Sequence, residues 1–410
     1  MRVLFTSVDW TGHLFPMVPL GWALRAAGHE VRVLCSAGLA PAVRRTGLTP
    51  VPVLETSGVF QARMNNYLRA RAGNQRTGLP PIHPVTGAEM ASLDEFDADA
   101  FTADAARLQQ RWLRQRRSVL RDFTTAWRPE LVVHDLSNVD GRVVAELADV
   151  PAVAHLWGLV ADAEDEDQMD YRPEAVDASF AMFELRGRGA KVEHVIDPTP
   201  DSLEPPTRAV RHRMRFVPYN GTGSMAGWVL EPRHRPRVCV VWGTSVTKVY
   251  GPRSFLVPRI VRALAGLPLD VVLAIDPGDV AQIGPLPDNV RLLPRSPLSV
   301  LLGACDVVVH NGAAGSAMTA LAAGTPQFAL SISDEQAGNG IRVARGGAGL
   351  HLSGPSSDEA GIRHAVCRLV EETGFADAAT RLAEENRHRP TPAALVASLE
   401  AVAGLVVRTG

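Results

Sequence analysis

Twice along this chain a short aliphatic run gives way to a turn of small residues and then to a segment whose apolar positions recur at three and four. The first is "RVLFTSV" (Arg2 to Val8), followed by "HLFPMVPLGWALRAAGHE" and a second strand, "VRVLC", with Gly28 where a helix would stop. The second opens at "RVCVVWGTS" (Arg237 to Ser245). It continues through a helix near "SFLVPRIVRALAGL", strands "DVVLAI" and "VRLL", a helix "LSVLLGA" and the strand "DVVVH". Parallel neighbours need a crossover, so strands alternating with helices predict parallel sheets covered by helices on both faces. Two such series in 410 residues predict an α/β protein of two Rossmann-like, doubly wound domains.

Between the series lies "FVPYNGTGSMAGWVLEPRHRPR", rich in Gly, Pro and charge and without helical period. It divides the chain into a domain over 1–215, a linker over 216–236 and a domain over 237–390. Phe60 to Gln115 reads as less regular, with a helix toward "RLQQRWLRQRRSVL" and a long loop at "GNQRTGLPPIHPVTGAEM". Ligands of doubly wound sheets bind where the strand order reverses, so two such domains facing each other make a cleft for two ligands. A transfer between those ligands is the expected chemistry.

Charge excludes other classes. With 42 Lys+Arg against 44 Asp+Glu the net charge is -2, and no field draws nucleic acid or anionic lipid. No segment approaches the roughly 18 apolar residues of a membrane span. The N-terminal run is too short for a signal peptide, and the four scattered cysteines suit a reducing compartment, so a cytoplasmic protein is expected.

"DVVVHNGAAGSAMTALAAGTPQ", from Asp306, carries the chemistry of the second series. A strand end, small residues and a helix start aim backbone N–H groups at one point, where the helix dipole adds positive charge. An anion, most plausibly a phosphate, is the natural guest, although small residues are common in any turn of this type. There is no GxGxxG and no GxxxxGK[ST], so hydride carriers and P-loop hydrolysis have no support.

Four stretches in order, "WTGHLFPMVPLGWALRAAGHEV", "RPELVVHDLSNVDGRVVAELADVPAVAH", "HNGAAGSAMTALAAGTPQ" and "DEQAGNGIRVARGGAGL", resemble GT-B-fold nucleotide-sugar glycosyltransferases. The likeness is to bacterial enzymes that attach deoxysugars to polyketide and macrolide antibiotics. It spans nearly the whole chain, including "TPAALVASLEAV", similar to the family's last helix (here about 391–410) that crosses back to the N-terminal domain. The resemblance implies an acceptor-binding first domain, a nucleotide-sugar-binding second domain and inverting transfer of a sugar to a hydroxyl without a metal or other cofactor.

Residue by residue, the resemblance implies that His13 is the base and Asp135 its partner, with His134 and Asp140 as rivals for that place. An imidazole titrating near neutrality suits the role, and a carboxylate behind it fixes the tautomer and balances the imidazolium. For the nucleotide-sugar the likeness implicates His310, Gly312, Ala314, Gly315 and Ser316, the turn Gly243, Thr244 and Ser245, and Glu335 with Gln336, or Asp334 if the loop is shifted by one. Asn339 continues that match. Arg295 stands where relatives often stack a tryptophan on the base, and the neighbouring Ser296 is counted with it as nucleotide-sugar-binding. Trp10, Phe60, Met64, Tyr67 and Trp157 are expected to wall an apolar acceptor pocket.

Three departures matter. Asn311 replaces a second histidine, Ala313 replaces a glycine, and Met318 stands where plant-type enzymes carry a glutamate for the ribose hydroxyls. A site without that carboxylate suits a 2′-deoxy nucleotide, so dTDP is the expected carrier. "DADA" (Asp97 to Ala100), "DAEDED" (Asp162 to Asp167) and "RQRR" (Arg114 to Arg117) read as solvated charge. A homodimer and an auxiliary activating protein remain open as partners, the latter through the irregular Phe60 to Gln115 region. Transfer to carbon, a nucleotide-sugar epimerase of the same fold, and a catalytically silent partner protein are the alternatives.

Overall fold

The structure is a computed structural model that describes residues 1–54, 58–74, 78–160, 180–181, 183–185, 191–293 and 296–404, with backbone alone for 102–114. Arg295 and the acidic run at 162–167 lie outside the described residues. The first sheet comprises β1 (Arg2–Thr6), β2 (Glu30–Ser36), β3 (Thr49–Leu54), β4 (Leu131–Asp135), β5 (Ala152–His155), β6 (His194–Asp197) and β7 (Val210–Arg213). Its order is β3-β2-β1-β4-β5-β6-β7, with every pairing parallel. The second comprises β8 (Arg237–Val241), β9 (Asp270–Ala274), β10 (Val290–Leu292), β11 (Val307–His310), β12 (Gln327–Ser331) and β13 (Gly349–Ser353). Its order is β10-β9-β8-β11-β12-β13, again parallel throughout.

The central strands are buried on both faces, which is why they read as continuous aliphatic runs rather than alternating ones. Val3, Phe5, Val33 and Val133 share one core; Val240, Leu273, Val309 and Phe328 share another. In each sheet the order reverses once, between β1 and β4 and between β8 and β11, opening a crevice at the carboxyl ends of those strands. The last helix, Pro392–Val402, starts at a Thr391 cap and buries Leu395, Val396 and Leu399 in the first domain's core.

One expectation is corrected. The Phe60 to Gln115 region is largely helical: Gly58–Arg71 is one helix and Ala98–Trp127 a second of 30 residues. Gly58–Arg71 buries only Tyr67, so it has no apolar stripe for a periodicity reading to detect. The 216–236 stretch is held by side chains and backbone of the second half. The Phe216 backbone N–H donates to Asn386 Oδ1 (2.8 Å) and its carbonyl accepts from Asn386 Nδ2 (3.1 Å), while Asn220 bridges Thr319 and the Ser299 N–H. Among the described residues no helix is long and apolar enough to cross a membrane.

Candidate active site

His13 sits in the short turn of helix Thr11–Leu14 after β1, and Asp135 ends β4, so the β1/β4 crevice brings them together. His13 Nδ1 lies 2.8 Å from Asp135 Oδ2. The carboxylate also accepts from the Ser137 N–H (2.8 Å) and the Val8 N–H (3.3 Å), and its side chain is 1% exposed. Burial alone would lift the Asp135 carboxyl, but His13 and these two N–H groups hold it below the ordinary carboxylate value. Burial would likewise depress His13, yet the Asp135 carboxylate, with a smaller contribution from Glu335, raises it above 6.5. With its Nδ1 proton given to Asp135, the imidazole keeps Nε2 as its free basic nitrogen.

The rivals are occupied elsewhere. His134 Nδ1 bonds the Asp135 carbonyl (2.9 Å), and burial pushes its pKa down to about 4. Asp140 pairs with Arg116 (2.6 Å) and Arg117 with Glu184 (2.8 Å), so these two arginines of the "RQRR" run are paired rather than simply solvated.

Across the cleft, helix Ala314–Ala323 begins at Ala313 without any side-chain cap. Ser316 N–H and Ala317 N–H reach the Ala313 carbonyl, whereas the N–H groups of Ala314 and Gly315 have no acceptor among the described residues. Asn311, 0% exposed, has a buried Nδ2 with no hydrogen-bond partner, 3.7 Å from where a Cβ on Gly243 would stand. Buried donors without acceptors are costly, and here they converge with a helix N-terminus at the β8/β11 crevice. Gly312 makes the turn with φ +79°, and a Cβ there would lie 2.5 Å from the Gln336 carbonyl oxygen.

His310 departs from expectation. Its Nδ1 accepts from the Gly312 N–H (2.9 Å) and its Nε2 donates to Gln327 Oε1 (2.9 Å), so neither ring nitrogen is left for a diphosphate. Burial holds it neutral, with a pKa of about 4. It shapes the turn. Gln336 has a structural duty as well: its Oε1 accepts from the Ile332 N–H (2.8 Å) and the Ser333 N–H (3.3 Å) in a capping box, which leaves only its Nε2 for a sugar. Asn339 Nδ2 donates to the Gly312 carbonyl (3.0 Å). Ser296 donates to the Ser224 carbonyl (2.8 Å), and Gly243 caps the helix Thr244–Tyr250, where Thr244 is exposed and Ser245 half-buried.

Glu335 Oε1 accepts from Trp157 Nε1 (3.2 Å), and the Trp157 ring stacks on His13 with centroids 4.0 Å apart. The next residue, Gly158, lies against the helix head, where a Cβ would come within 2.9 Å of Ala314 Cβ. Base, acid and helix start therefore belong to one site. Trp157 is 2% exposed, which makes it a buried support and not the open acceptor wall expected. Tyr67 spends its hydroxyl on the Phe96 and Leu93 carbonyls (2.7 and 3.1 Å) while still lining a cavity between the domains. Met64 packs with Tyr67, Phe60 packs on Phe101, and Trp10 adjoins Gly58.

A cavity of about 270 Å³ between the domains is lined by Asn66, Tyr67, Arg69, Tyr250, Asp334 and Glu335. A larger one of about 660 Å³, by Trp228, Asp270, Asn289 and Arg291, opens at the opposite ends of β9 and β10, away from this chemistry. Among the described residues no three His, Cys, Asp or Glu side chains gather to hold a metal. Asp97 of "DADA" caps its helix through the Ala100 N–H (2.8 Å).

Two doubly wound domains with facing switch points, one carrying a His–Asp pair and the other a bare helix start, define a GT-B glycosyltransferase. The chain belongs to the erythromycin biosynthesis protein CIII-like family, whose N-terminal domain model matches residues 22–243 and whose C-terminal domain model matches residues 258–402. It is 34% identical over 403 residues to L-demethylnoviosyl transferase of Streptomyces niveus, covering 98% of each chain. It is 33% identical over 424 residues to 10-deoxymethynolide desosaminyltransferase of Streptomyces venezuelae, covering 98% of this chain and 97% of that one. The solved structure of spinosyn rhamnosyltransferase SpnG superposes with a TM-score of 0.76 at 30% identity, covering 98% of this chain and 100% of that chain. The same enzyme complexed with thymidine diphosphate gives 0.75 at 29%, with the same coverage.

Proposed function

We propose that the protein transfers a deoxysugar from a dTDP-sugar to a hydroxyl of an apolar polyketide-type aglycone, with inversion at the anomeric carbon. The observation that carries this reading is the His13–Asp135 pair stacked, through Trp157, beside the uncapped start of helix Ala314–Ala323. His13 Nε2 takes the acceptor proton as the acceptor oxygen bonds to the anomeric carbon, and the bond from that carbon to the diphosphate oxygen breaks. Asp135 stabilises the imidazolium, as a triad carboxylate does. Negative charge builds on the leaving diphosphate, where the free N–H groups of Ala314 and Gly315 and the Asn311 amide offer preorganised donors. This arrangement serves the leaving group without a metal, so chelation by EDTA is expected to leave the rate unchanged.

The sugar class is supported by relatives named for demethylnoviosyl, desosaminyl and rhamnosyl transfer. The nucleotide is supported by the thymidine diphosphate complex of the rhamnosyltransferase and by Met318. Met318 is 1% exposed in an apolar cluster with Leu159 and Phe216. A ribose-gripping carboxylate at that place would be buried unpaired, which is costly.

Thermal unfolding with dTDP and with UDP, and turnover across a panel of dTDP-sugars and polyketide acceptors, test the reading. dTDP is expected to stabilise more than UDP, since only true ligands do so by mass action. UDP stabilising where dTDP does not would overturn the nucleotide assignment. His13→Ala is expected to abolish turnover while keeping the dTDP stabilisation; retained turnover removes His13 from the base role.

A further inference from the structure

Trp157 follows β5 and is almost wholly enclosed, yet each part of its indole meets a group with work to do. One face lies on the His13 ring at 4.0 Å and 28°, and the N–H donates to Glu335 Oε1 at 3.2 Å. The series Asp135, His13, Trp157, Glu335 thus runs from β4 of the first domain to helix Asp334–Arg345 of the second.

We infer that Trp157 is a positioning residue for both reactants: it fixes the ring of His13 so that Nε2 meets the acceptor, and it holds one oxygen of Glu335 so that the other is presented to the donor sugar. This rests on the reading of His13 as base and Glu335 as the sugar-binding acid.

A single hydrogen bond through Nδ1 leaves an imidazole free to swing out of plane, and a stacked indole removes that freedom. The indole face also attracts a cation. Its interaction with His13 therefore strengthens as the proton arrives, which is the kind of contact that lowers a barrier instead of merely tightening binding. The charged groups facing His13 are Asp135 from β4 and Glu335 from the second domain, and both favour the imidazolium against burial. His155, beside Asp135 on β5, is buried and neutral, with a pKa of about 4. On the far side, the indole N–H satisfies one lone pair of the Glu335 carboxylate. Glu335 lines the 270 Å³ cavity, and its second oxygen is left for a sugar hydroxyl.

The test compares full-length wild type with Trp157→Leu, Trp157→Phe and Glu335→Gln. One readout is the NMR titration of the His13 imidazole in ligand-free protein; the other is the pH profile of kcat and kcat/KM with a dTDP-sugar. Trp157→Leu is expected to lower the His13 pKa, to move the acid limb of kcat/KM down with it, and to cut kcat by about tenfold. Trp157→Phe retains a ring face without the N–H, so His13 should titrate close to wild type while donor KM rises by about tenfold. Glu335→Gln keeps an acceptor but removes the charge, and should lower the His13 pKa.

A wild-type His13 titration in Trp157→Leu, together with a wild-type donor KM in Trp157→Phe, overturns the inference. Should Trp157→Leu fail to fold, the donor KM of Trp157→Phe decides. A merely structural tryptophan would lower the melting temperature and leave the His13 titration and the donor KM unmoved. If wild type turns over no dTDP-sugar, the functional reading fails, and the NMR titrations still decide whether Trp157 tunes His13.

Discussion

His13 and His310 are the same residue type at the switch points of two similar sheets, one in the turn after β1 and the other at the end of β11, and their surroundings give them opposite characters. Both are largely desolvated. His13 has a carboxylate on Nδ1 and an open Nε2, and its pKa is raised above 6.5. His310 has a backbone N–H on one nitrogen and a glutamine oxygen on the other, and its pKa falls to about 4. Protonation removes the lone pair a base needs, so the rate should fall as pH drops through the raised His13 value. Asp135→Asn removes the charge that raises it; the acid limb of kcat/KM should move to lower pH while kcat falls by about two orders of magnitude or more. His310→Ala should weaken stabilisation by dTDP through the distorted Gly312 turn and leave the pH profile in place. A shifted profile would mean that His310 titrates in the reaction.

At the scale of the element, the head of helix Ala314–Ala323 depends on two glycines outside it. Gly312 turns the chain with a positive φ against the Gln336 carbonyl, and Gly158 lets the first domain touch Ala314. Gly312→Ala combines left-handed strain with a clash and should cost about 1–3 kcal/mol of stability, with loss of dTDP stabilisation. Gly158→Ala should leave the unfolding temperature within a few degrees but reduce turnover, because the added methyl must push the helix start away from His13. Unchanged turnover would show that the cleft tolerates a wider gap.

At the scale of the molecule, the domains are joined by two strands of chain lying side by side: Arg215 N–H donates to the Pro390 carbonyl (2.7 Å), next to the Phe216–Asn386 pair. Arg389, with its side chain 2% exposed, ties this crossing to the first domain through Asp201 (2.8 Å), Glu204 (2.5 Å) and the Asp197 carbonyl (2.7 Å). Glu204 also meets Arg211 and Arg213. Burial would lift its carboxyl, but the three guanidiniums hold it below 4.5. A depressed carboxyl contributes stability above its unfolded value and loses it as pH falls through the folded one. Arg389→Ala leaves Glu204 with Arg211 and Arg213 but strips the Asp197 carbonyl of its donor, and should cost about 1–3 kcal/mol near neutrality. The electrostatic part of that loss should shrink as pH falls through the depressed Glu204 value, measurable as urea midpoints across pH.

The alternation of strands and helices was legible in the residues because it is local: a buried parallel strand needs a continuous aliphatic run, and a helix needs its three-and-four period. Helix Gly58–Arg71 escaped that reading because it buries a single side chain and carries no stripe. Which residues of the cleft meet is a different kind of fact. His13 and Asp135 are 122 residues apart, Trp157 and Glu335 are 178 apart, and each pair is brought together by strand order or by the approach of two domains. Motif likeness proposed the residues, but whether a histidine keeps a free nitrogen depends on neighbours distant in the chain. So His310 and Gln336 proved committed to backbone and capping contacts, and Trp157 proved to lie beneath the base, because hydrogen-bond satisfaction in a desolvated cleft is settled only once the chain has closed around it.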